Sequence, residues 1–244
     1  MKIRFLSGNM LKILAAIFMT VDHIGVVFFP RVAAFKIVGR LAMPIFAFMI
    51  SEGARYTKNR LKYLGLIAAL ATVCQTVYYF AMHSTYMSIL VTFTLSILMI
   101  YALDGVKREL GRGKILPLRL IIAVALFIAS IAFSYAFCSR FTVDYGFLGT
   151  LVPLFASLPD MKKSGITLPL WCDSVYFRIA ALGIGLFLLA GSLNSIQIYS
   201  LLALPLLCLY TGKRGRINMK YFFYIFYPLH LVVLEGIHFL INLA

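Results

Sequence analysis

Long apolar stretches recur along the whole chain and constrain its fold more than any other feature. A helix needs about 20 apolar residues to cross the hydrocarbon core of a bilayer, where it satisfies its own backbone hydrogen bonds. Hydrophobic residues make up 62% of the 244 residues, and charged residues only 13%. We therefore predict an all-α, polytopic transmembrane helix bundle of about nine spans (range about 8–10), forming one domain over residues 1–244. The predicted spans cover residues 10–30, 37–54, 62–82, 86–103, 116–136, 143–158, 175–193, 196–211 and 221–242.

Lysine and arginine are distributed unevenly between the loops that join these spans. Most of the net charge of +15 comes from clusters at residues 2–12, 55–62, 107–119, 162–163 and 213–220. Loops rich in positive charge stay on the cytoplasmic side, so we expect a cytoplasmic amino terminus and no binding of nucleic acid. Asp104 and Glu109 fall inside one cluster and are expected to be solvated counter-charges. The intervening loops hold only Arg31, Lys36, Arg40, Arg140 and Arg178.

The first span contains two adjacent ionisable residues, Asp22 and His23. Ionisable groups inside a bilayer are costly and rare, so by default they indicate a functional site. Lys12 precedes His23 at a spacing that places both side chains on nearly the same helix face, about 16 Å apart. Because a histidine can accept a proton from a nucleophile, we interpret His23 as a catalytic base and Asp22, about 100° round the helix, as its support. The alternative is a polar pair that fixes helix packing.

The second span carries polar residues at both of its ends. Arg40 lies at the rim, where it either reaches the interface or turns inward to hold a carboxylate, phosphate or carbonyl oxygen. Pro44 lacks an N–H group and is expected to kink the helix or free a backbone carbonyl. Glu52, near the other end, is spaced for a local pair with Arg55 or Tyr56.

The last span combines phenol and imidazole groups on one face. Tyrosines at positions 221, 224 and 227 follow one another at helical spacing and lead to His230. An aromatic belt at the membrane interface explains the first of these tyrosines. It does not explain His230, which lies about ten residues into the span, so we predict a functional role for Tyr227 and His230.

Several of these segments together resemble the TraX family of bacterial membrane proteins. The family's namesake is associated with acetylation of the amino terminus of conjugative pilin. The family is also similar to a wider group of transmembrane acyltransferases that modify cell-surface sugars. In that group a basic residue, ten intervening residues and a histidine form a signature, which Lys12 and His23 match. The matching segments are Leu11–Ile13, Asp22–Gly25, Gly39–Phe48, Glu52–Gly53, Thr57–Arg60, Asp144–Gly146, Leu209–Tyr210 with Gly212, Arg214–Gly215 and Tyr224–His230.

The resemblance implies an acyltransferase of the bacterial inner membrane that uses cytoplasmic acetyl-CoA and an acceptor on the far side, either a pilin amino terminus or a cell-surface glycan. His23 would deprotonate the acceptor or briefly carry the acyl group, and His230 would be a second proton carrier. Arg40 or Tyr227 would stabilise the developing oxyanion. The expected ligands of the CoA phosphates are Lys12, Arg55, Lys58 and Arg60.

Two other functions fit the same residues. A proton-coupled secondary transporter would use Asp22, His23, Glu52 and His230 as a proton relay. The sequence lacks the internal repeats from which many transporters are built, which counts against this alternative. A membrane chaperone or assembly scaffold would leave the buried ionisable residues without a purpose. The sequence contains no zinc motif and no P-loop, so we expect no metal site.

Overall fold

The structure, a computed structural model, describes residues 4–161, 164–165, 174–193, 195–216 and 219–243, apart from the side chains at 81–82, 220–221, 224, 235 and 242–243. These residues form helices and contain no β-strand, only two isolated bridges. The prediction of an all-α fold is therefore confirmed. The α-helices are α1 Gly8–Phe28, α2 Ala33–Gly39, α3 Ala42–Tyr56, α4 Arg60–Met82, α5 Ile89–Leu110, α6 Pro117–Arg140, α7 Gly146–Ser157, α8 Val175–Ser192, α9 Ala203–Cys208 and α10 Lys220–Leu243, and a 3₁₀ helix covers Ser195–Leu202.

Six helical segments of the described chain are long and apolar enough to cross a membrane. They are α1, α2 together with α3, α4, α5, α6 and α8. Three shorter apolar helical segments cover Gly146–Ser157, Ser195–Cys208 and Ile225–Ile241. The chain is thus a multi-pass membrane protein, and the number of about nine crossings stays a prediction.

The second predicted span is broken, at a place that differs from the expected one. We expected the disturbance at Pro44, but the helix is interrupted at Arg40 and Leu41, between α2 and α3. Pro44 is the third residue of α3, in the first turn, where a backbone N–H group has no partner within the helix. Proline therefore fits there without a kink. The interruption leaves Arg40 at a corner between two helices.

The chain divides into two compact units. Unit 1 contains Met1–Met49, Thr72–Thr85 and Leu186–Ala244, and unit 2 contains Ile50–Ala71 and Tyr86–Gly185. In unit 1, α1 packs against both α2 and α10, and the 3₁₀ helix packs against α2 and α9. In unit 2, α5, α6 and α7 pack against one another.

Helix α1 begins and ends at clear sequence signals. Ser7 precedes it in an extended conformation, and its side chain accepts a hydrogen bond from the Met10 backbone N–H group at 3.3 Å. Leu11, Ala15 and Met19 repeat at four-residue spacing and are buried on one face. The helix ends at Phe28, two residues before Pro30, which cannot continue the hydrogen-bonding pattern.

Unit 2 contains a network of buried charges that joins α3, α7 and α8. Arg178, on α8, is fully buried and forms an ion pair with Glu52. Its guanidinium also donates to the Ser51 hydroxyl at 2.9 Å and to the Ala156 carbonyl at 3.1 Å. The Ser51 hydroxyl in turn lies 2.9 Å from the hydroxyl of Ser157. The three nitrogens of the Arg178 side chain thus all have protein partners, as a charge in a low-dielectric interior requires.

The assignment of Arg178 to an intervening loop is wrong. The residue lies inside α8 and contacts the end of α7. Lys107, from a basic cluster, reaches the same end of α7, where its Nζ atom donates to the Ser157 carbonyl at 2.6 Å and the Asp160 carbonyl at 2.9 Å. A cation at this position stabilises the unpaired carbonyl groups of a helix carboxyl terminus. Arg178 and Lys107 therefore both donate to backbone carbonyl groups at the carboxyl-terminal end of α7.

The expectation that Asp104 is a solvated counter-charge is also wrong. Asp104 lies inside α5, because that helix runs to Leu110 and not to residue 103. Its carboxylate accepts a hydrogen bond from Nη2 of Arg60 at 2.6 Å, and its side chain is only 11% exposed. The pair joins the start of α4 to α5 within unit 2.

Replacement of Arg178 by methionine should destabilise the protein strongly. Removing one member of a buried ion pair leaves the other charge uncompensated, at a cost of about 3–5 kcal/mol. We expect a lower melting temperature for the detergent-solubilised Arg178→Met variant. The double variant Glu52→Leu/Arg178→Met should regain much of the loss, because no buried charge remains unpaired. Arg140→Met, at an exposed arginine of the same unit, is the control and should melt like the wild type; equal melting of Arg178→Met would contradict the prediction.

Candidate functional site

Two histidines from opposite ends of the sequence meet in unit 1. The distance between Nε2 of His230 and Nδ1 of His23 is 3.0 Å, a hydrogen-bonding distance. The ring centroids lie 5.1 Å apart, with the ring planes tilted by 34°. His23 is partly buried on α1, and His230 is buried on α10. Packing of α1 against α10 therefore brings together two residues that the sequence singled out separately.

The hydrogen bonds of this pair fix which nitrogen of each neutral ring carries a proton. Nδ1 of His230 lies 3.0 Å from the carbonyl oxygen of Phe226, which can only accept, so this nitrogen donates. Nε2 of a neutral His230 then holds a lone pair and accepts from the Nδ1–H group of His23. A neutral His23 consequently has its own lone pair on Nε2. That nitrogen has the chemistry of a proton acceptor, with His230 oriented to stabilise the protonated ring.

Asp22 forms an ion pair with the corner between α2 and α3. Its Oδ1 atom lies 3.7 Å from Nη2 of Arg40, and each side chain is 21% exposed. Gly39 lies directly against the Asp22 side chain, so a side chain at this position would displace the carboxylate. Nη1 of Arg40 donates to Oε1 of Gln197, on the 3₁₀ helix, at 3.2 Å. Arg40 thus turns inward, and Asp22 contacts a second helical segment.

Aromatic rings surround His230 on its own helix. The ring of Phe226 stacks on the imidazole with a centroid distance of 5.2 Å and an interplanar angle of 8°. Tyr227 contacts it edge-on, with centroids 5.6 Å apart. Such contacts restrict the rotation of the imidazole and hold its nitrogens in fixed directions. The side chains of the other two predicted tyrosines, at 221 and 224, lie outside the described residues.

Lys12 lies at the other end of α1, next to a basic loop. Its Nζ atom is 5.7 Å from the centre of the Phe223 ring on α10. The carbonyl groups of Lys213 and Arg214 accept from the first backbone N–H groups of α1, at 2.8 and 2.9 Å. Arg214 is close enough for its charge to act on Lys12. The result is a group of cations at one end of α1, with the two histidines farther along the same helix.

The other predicted ligands of CoA lie in unit 2. Arg55 forms an ion pair with Asp160 at 3.3 Å, and Arg60 forms the pair with Asp104 described above. Lys58 is exposed in the loop between α3 and α4. Lys12 and all the predicted catalytic residues are in unit 1.

Sequence reasoning missed two parts of this arrangement. Gln197 was not predicted as a site residue, although a glutamine inside an apolar span carries the same signal as Asp22. Lys213 and Arg214 belong to a basic cluster that was interpreted mainly as a topology signal, with the cytoplasmic basic loops in general as a candidate site for the CoA phosphates. Nothing in their sequence spacing indicates that their loop caps α1 beside Lys12, because that contact depends on tertiary structure.

The model of the family described as TraX protein matches residues 7–238 of the chain. The chain belongs to the TraX protein family. This family membership confirms the resemblance derived from the sequence.

Two relatives of this TraX family member differ greatly in the extent of their similarity. The chain is similar to the "Probable fimbrial assembly protein FimC, serogroup H1" of Dichelobacter nodosus, with 25% identity over 253 residues, 93% of this chain and 94% of the relative. It is also similar to an uncharacterized protein of Rickettsia prowazekii (strain Madrid E), with 50% identity over 40 residues, 16% of each chain. No solved structure matches the chain significantly.

Substitution of Gly39 by alanine should disturb the ion pair between Asp22 and Arg40. A Cβ atom at this position would overlap the Asp22 side chain, whereas a Cβ at Gly236 meets nothing within 4 Å. We expect Gly39→Ala to lower the melting temperature of the solubilised protein. Gly236→Ala, the matched control, should leave it unchanged or raise it, because alanine is the better helix former. Equal melting of both variants would contradict the described contact.

The hydrogen-bond chain predicts a specific tautomer for each histidine of the pair. In nitrogen-15 NMR spectra of the histidine-labelled protein, neutral His23 and His230 should both carry the proton on Nδ1. The variant His230→Phe removes the acceptor for the Nδ1–H group of His23. In this variant, neutral His23 should no longer prefer protonation on Nδ1. The exposed His83, assigned by its own substitution, is the reference ring. A proton on Nε2 of His23 in the wild type would exclude the proposed direction of the hydrogen bond.

Proposed function

We propose that this TraX family member is an integral-membrane acyltransferase that transfers an acetyl group from cytoplasmic acetyl-CoA to an acceptor beyond the membrane. The observation that carries the proposal is the hydrogen bond between His23 and His230. It leaves a lone pair on Nε2 of His23 inside a membrane protein, where an oriented imidazole has a functional role by default. The proposed location is the bacterial inner membrane, with a cytoplasmic amino terminus.

The proposed reaction is a direct acyl transfer. Nε2 of His23 takes the proton from the acceptor hydroxyl or amine, whose oxygen or nitrogen forms a bond to the thioester carbonyl carbon. The carbonyl oxygen becomes an oxyanion, stabilised by Arg40 or by the Tyr227 hydroxyl. When the oxyanion collapses, the carbon–sulfur bond breaks and the CoA thiolate receives the proton from His23. The products are the acetylated acceptor and free CoA.

His230 and Asp22 have different proposed roles in this step. Nε2 of His230 accepts from Nδ1 of His23 and so stabilises the positive charge that His23 acquires. Asp22 pairs with Arg40 and keeps the guanidinium beside α1. The histidine pair then holds the proton on one side of the site, and Arg40 lies on the other side, towards the oxyanion of the transition state. This separation is what acyl transfer needs.

The cations at the Lys12 end of α1 are the proposed site for the CoA phosphates. Lys12, Lys213 and Arg214 supply charge at one end of the helix, about 16 Å along the axis from His23. The flexible pantetheine arm of acetyl-CoA bridges such a distance. Arg55, Lys58 and Arg60 stay predicted contributors; two of them already have carboxylate partners, which lowers their attraction for a phosphate.

The proposed acceptor is a pilin amino terminus or a cell-surface glycan. A pilin-like acceptor is favoured by the name of the Dichelobacter nodosus relative, a probable fimbrial assembly protein. The amine of a protein amino terminus and the hydroxyl of a sugar both need His23 to accept a proton. Each must lose a proton while it attacks the thioester.

A proton-coupled transporter is the second candidate, because two hydrogen-bonded histidines can also pass a proton between α1 and α10. The two functions differ in whether a CoA thioester is consumed. A transporter needs a proton gradient and releases no CoA.

The test is to measure acetyl-CoA turnover by the purified protein in vesicles, with pilin peptides and glycans as candidate acceptors. His23→Ala should lower turnover by about 100- to 10,000-fold, because it removes the general base. His83→Ala, at an exposed histidine, is the matched control and should retain full activity. Lys12→Ala should raise the KM for acetyl-CoA with a smaller effect on kcat.

The outcomes separate the candidates. Acetyl transfer that depends on His23 supports the acyltransferase. Proton-driven solute uptake that depends on His23, without CoA release, would overturn it in favour of the transporter.

A further inference from the structure

The 3₁₀ helix Ser195–Leu202 carries buried polar side chains on one face, and these have no role in the reaction proposed above. At eight residues it is longer than most 3₁₀ helices, which rarely exceed three or four residues and often mark strained or functional segments. Three residues complete one turn, so Gln197 and Ser200 lie directly above one another. Gln197 is 1% exposed and Ser200 is 0% exposed.

The contact with Arg40 fixes the orientation of the Gln197 carboxamide. A guanidinium only donates hydrogen bonds, so the atom 3.2 Å from Nη1 of Arg40 is the carboxamide oxygen. The Nε2 group, with two donor hydrogens, therefore points away from Arg40. Within the part of the chain that the structure describes, neither Nε2 of Gln197 nor the Ser200 hydroxyl has a hydrogen-bond partner.

Two buried polar groups without partners on adjacent turns need an explanation, because such groups lose their bonds to water and gain nothing in return. Both groups can donate a hydrogen bond, and Nε2 can do nothing else. Their natural partner is an acceptor without a full negative charge, because a fully buried phosphate or carboxylate would lose its hydration. A carbonyl oxygen fits this requirement.

The contacts of Gln197 relate this donor to α1, the helix that carries His23. Arg40 contacts Gln197 on one side and Asp22 on the other, and Asp22 is the chain neighbour of His23. All these residues belong to unit 1. The donor face of the 3₁₀ helix is therefore two side-chain contacts away from the helix that carries the proton acceptor.

We infer that Gln197, assisted by Ser200, binds the carbonyl oxygen of the acyl group during transfer. The inference rests on the proposed acyltransferase function and adds a donor pair to it. As the acceptor atom bonds to the carbonyl carbon and its proton passes to His23, the carbonyl oxygen gains negative charge. Nε2 of Gln197 and the Ser200 hydroxyl donate to that oxygen until the carbon–sulfur bond breaks and the thiolate takes the proton. Preorganised donors of this kind act on the transition state more than on the bound thioester.

Three substitutions test the role of the donor. Gln197→Leu removes the carboxamide, whereas Gln197→Glu keeps an oxygen towards Arg40, replaces the donor nitrogen by an acceptor oxygen and adds a negative charge beside the guanidinium. Ser200→Ala removes the second donor with little change in volume. We expect both Gln197 variants to lower kcat for acetyl transfer by about 100-fold, with a small change in the KM for acetyl-CoA. Ser200→Ala should lower kcat by a smaller factor.

A matched control and a spectroscopic measurement make the test independent of folding. Gln75→Leu removes the other glutamine of the chain, on α4 of the same unit, and should leave kcat unchanged. With carbon-13 acetyl-CoA bound to the inactive His23→Ala protein, the infrared carbonyl stretch should lie at lower frequency than in the His23→Ala/Gln197→Glu protein. A donor to the carbonyl oxygen weakens that bond, whereas a merely structural residue leaves it unchanged.

The possible results distinguish this inference from the function on which it depends. Full kcat in Gln197→Glu with loss in Gln197→Leu would show that Gln197 only positions Arg40, and would overturn the inference alone. An unshifted carbonyl stretch would do the same. A wild-type protein that consumes no acetyl-CoA would overturn the proposed function and this inference together.

Discussion

The ion pair between Asp22 and Arg40 joins α1 to the corner between α2 and α3, and the arrangement of the candidate site depends on it. A charged group inside a membrane protein needs a partner, because the low dielectric penalises an isolated charge by several kcal/mol or more. The break in the helix at Arg40 and the absence of a side chain at Gly39 allow the two groups to approach. Once Arg40 is held there, it can also contact Gln197 on the 3₁₀ helix.

Asp22 and His23 are neighbours in sequence but belong to two different chains of contacts. The helical rotation of about 100° between them directs Asp22 towards Arg40 and His23 towards His230. One chain of contacts carries fixed charge, and the other carries two imidazoles that can exchange a proton. Separating them prevents Asp22 from neutralising the group that is proposed to act as the base. Unit 2 uses its buried charges differently, as closed pairs such as Arg178 with Glu52, which favour a structural role.

Much of the fold followed from local sequence properties. Apolar stretches predicted the helices, and Ser7 and Pro30 mark the limits of α1. The errors arose where a long-range contact decides the outcome. Pro44 fits the first turn of α3 because the chain breaks earlier, and Arg178 is buried by Glu52, which lies far away in sequence. Neither the position of the helix break before Pro44 nor the partner of Arg178 is visible in the spacing of nearby residues.

The sequence by itself determined that this is a helical membrane protein, which residues are polar at membrane depth, and that His23 and Lys12 share one face of α1. Hydropathy and helical spacing are local properties, so they can be read along the chain. Only the tertiary structure decided which polar groups meet: His23 with His230, Asp22 with Arg40, and Arg40 with Gln197. These pairings depend on how the helices of one unit pack, and residues separated by as many as 207 positions become neighbours.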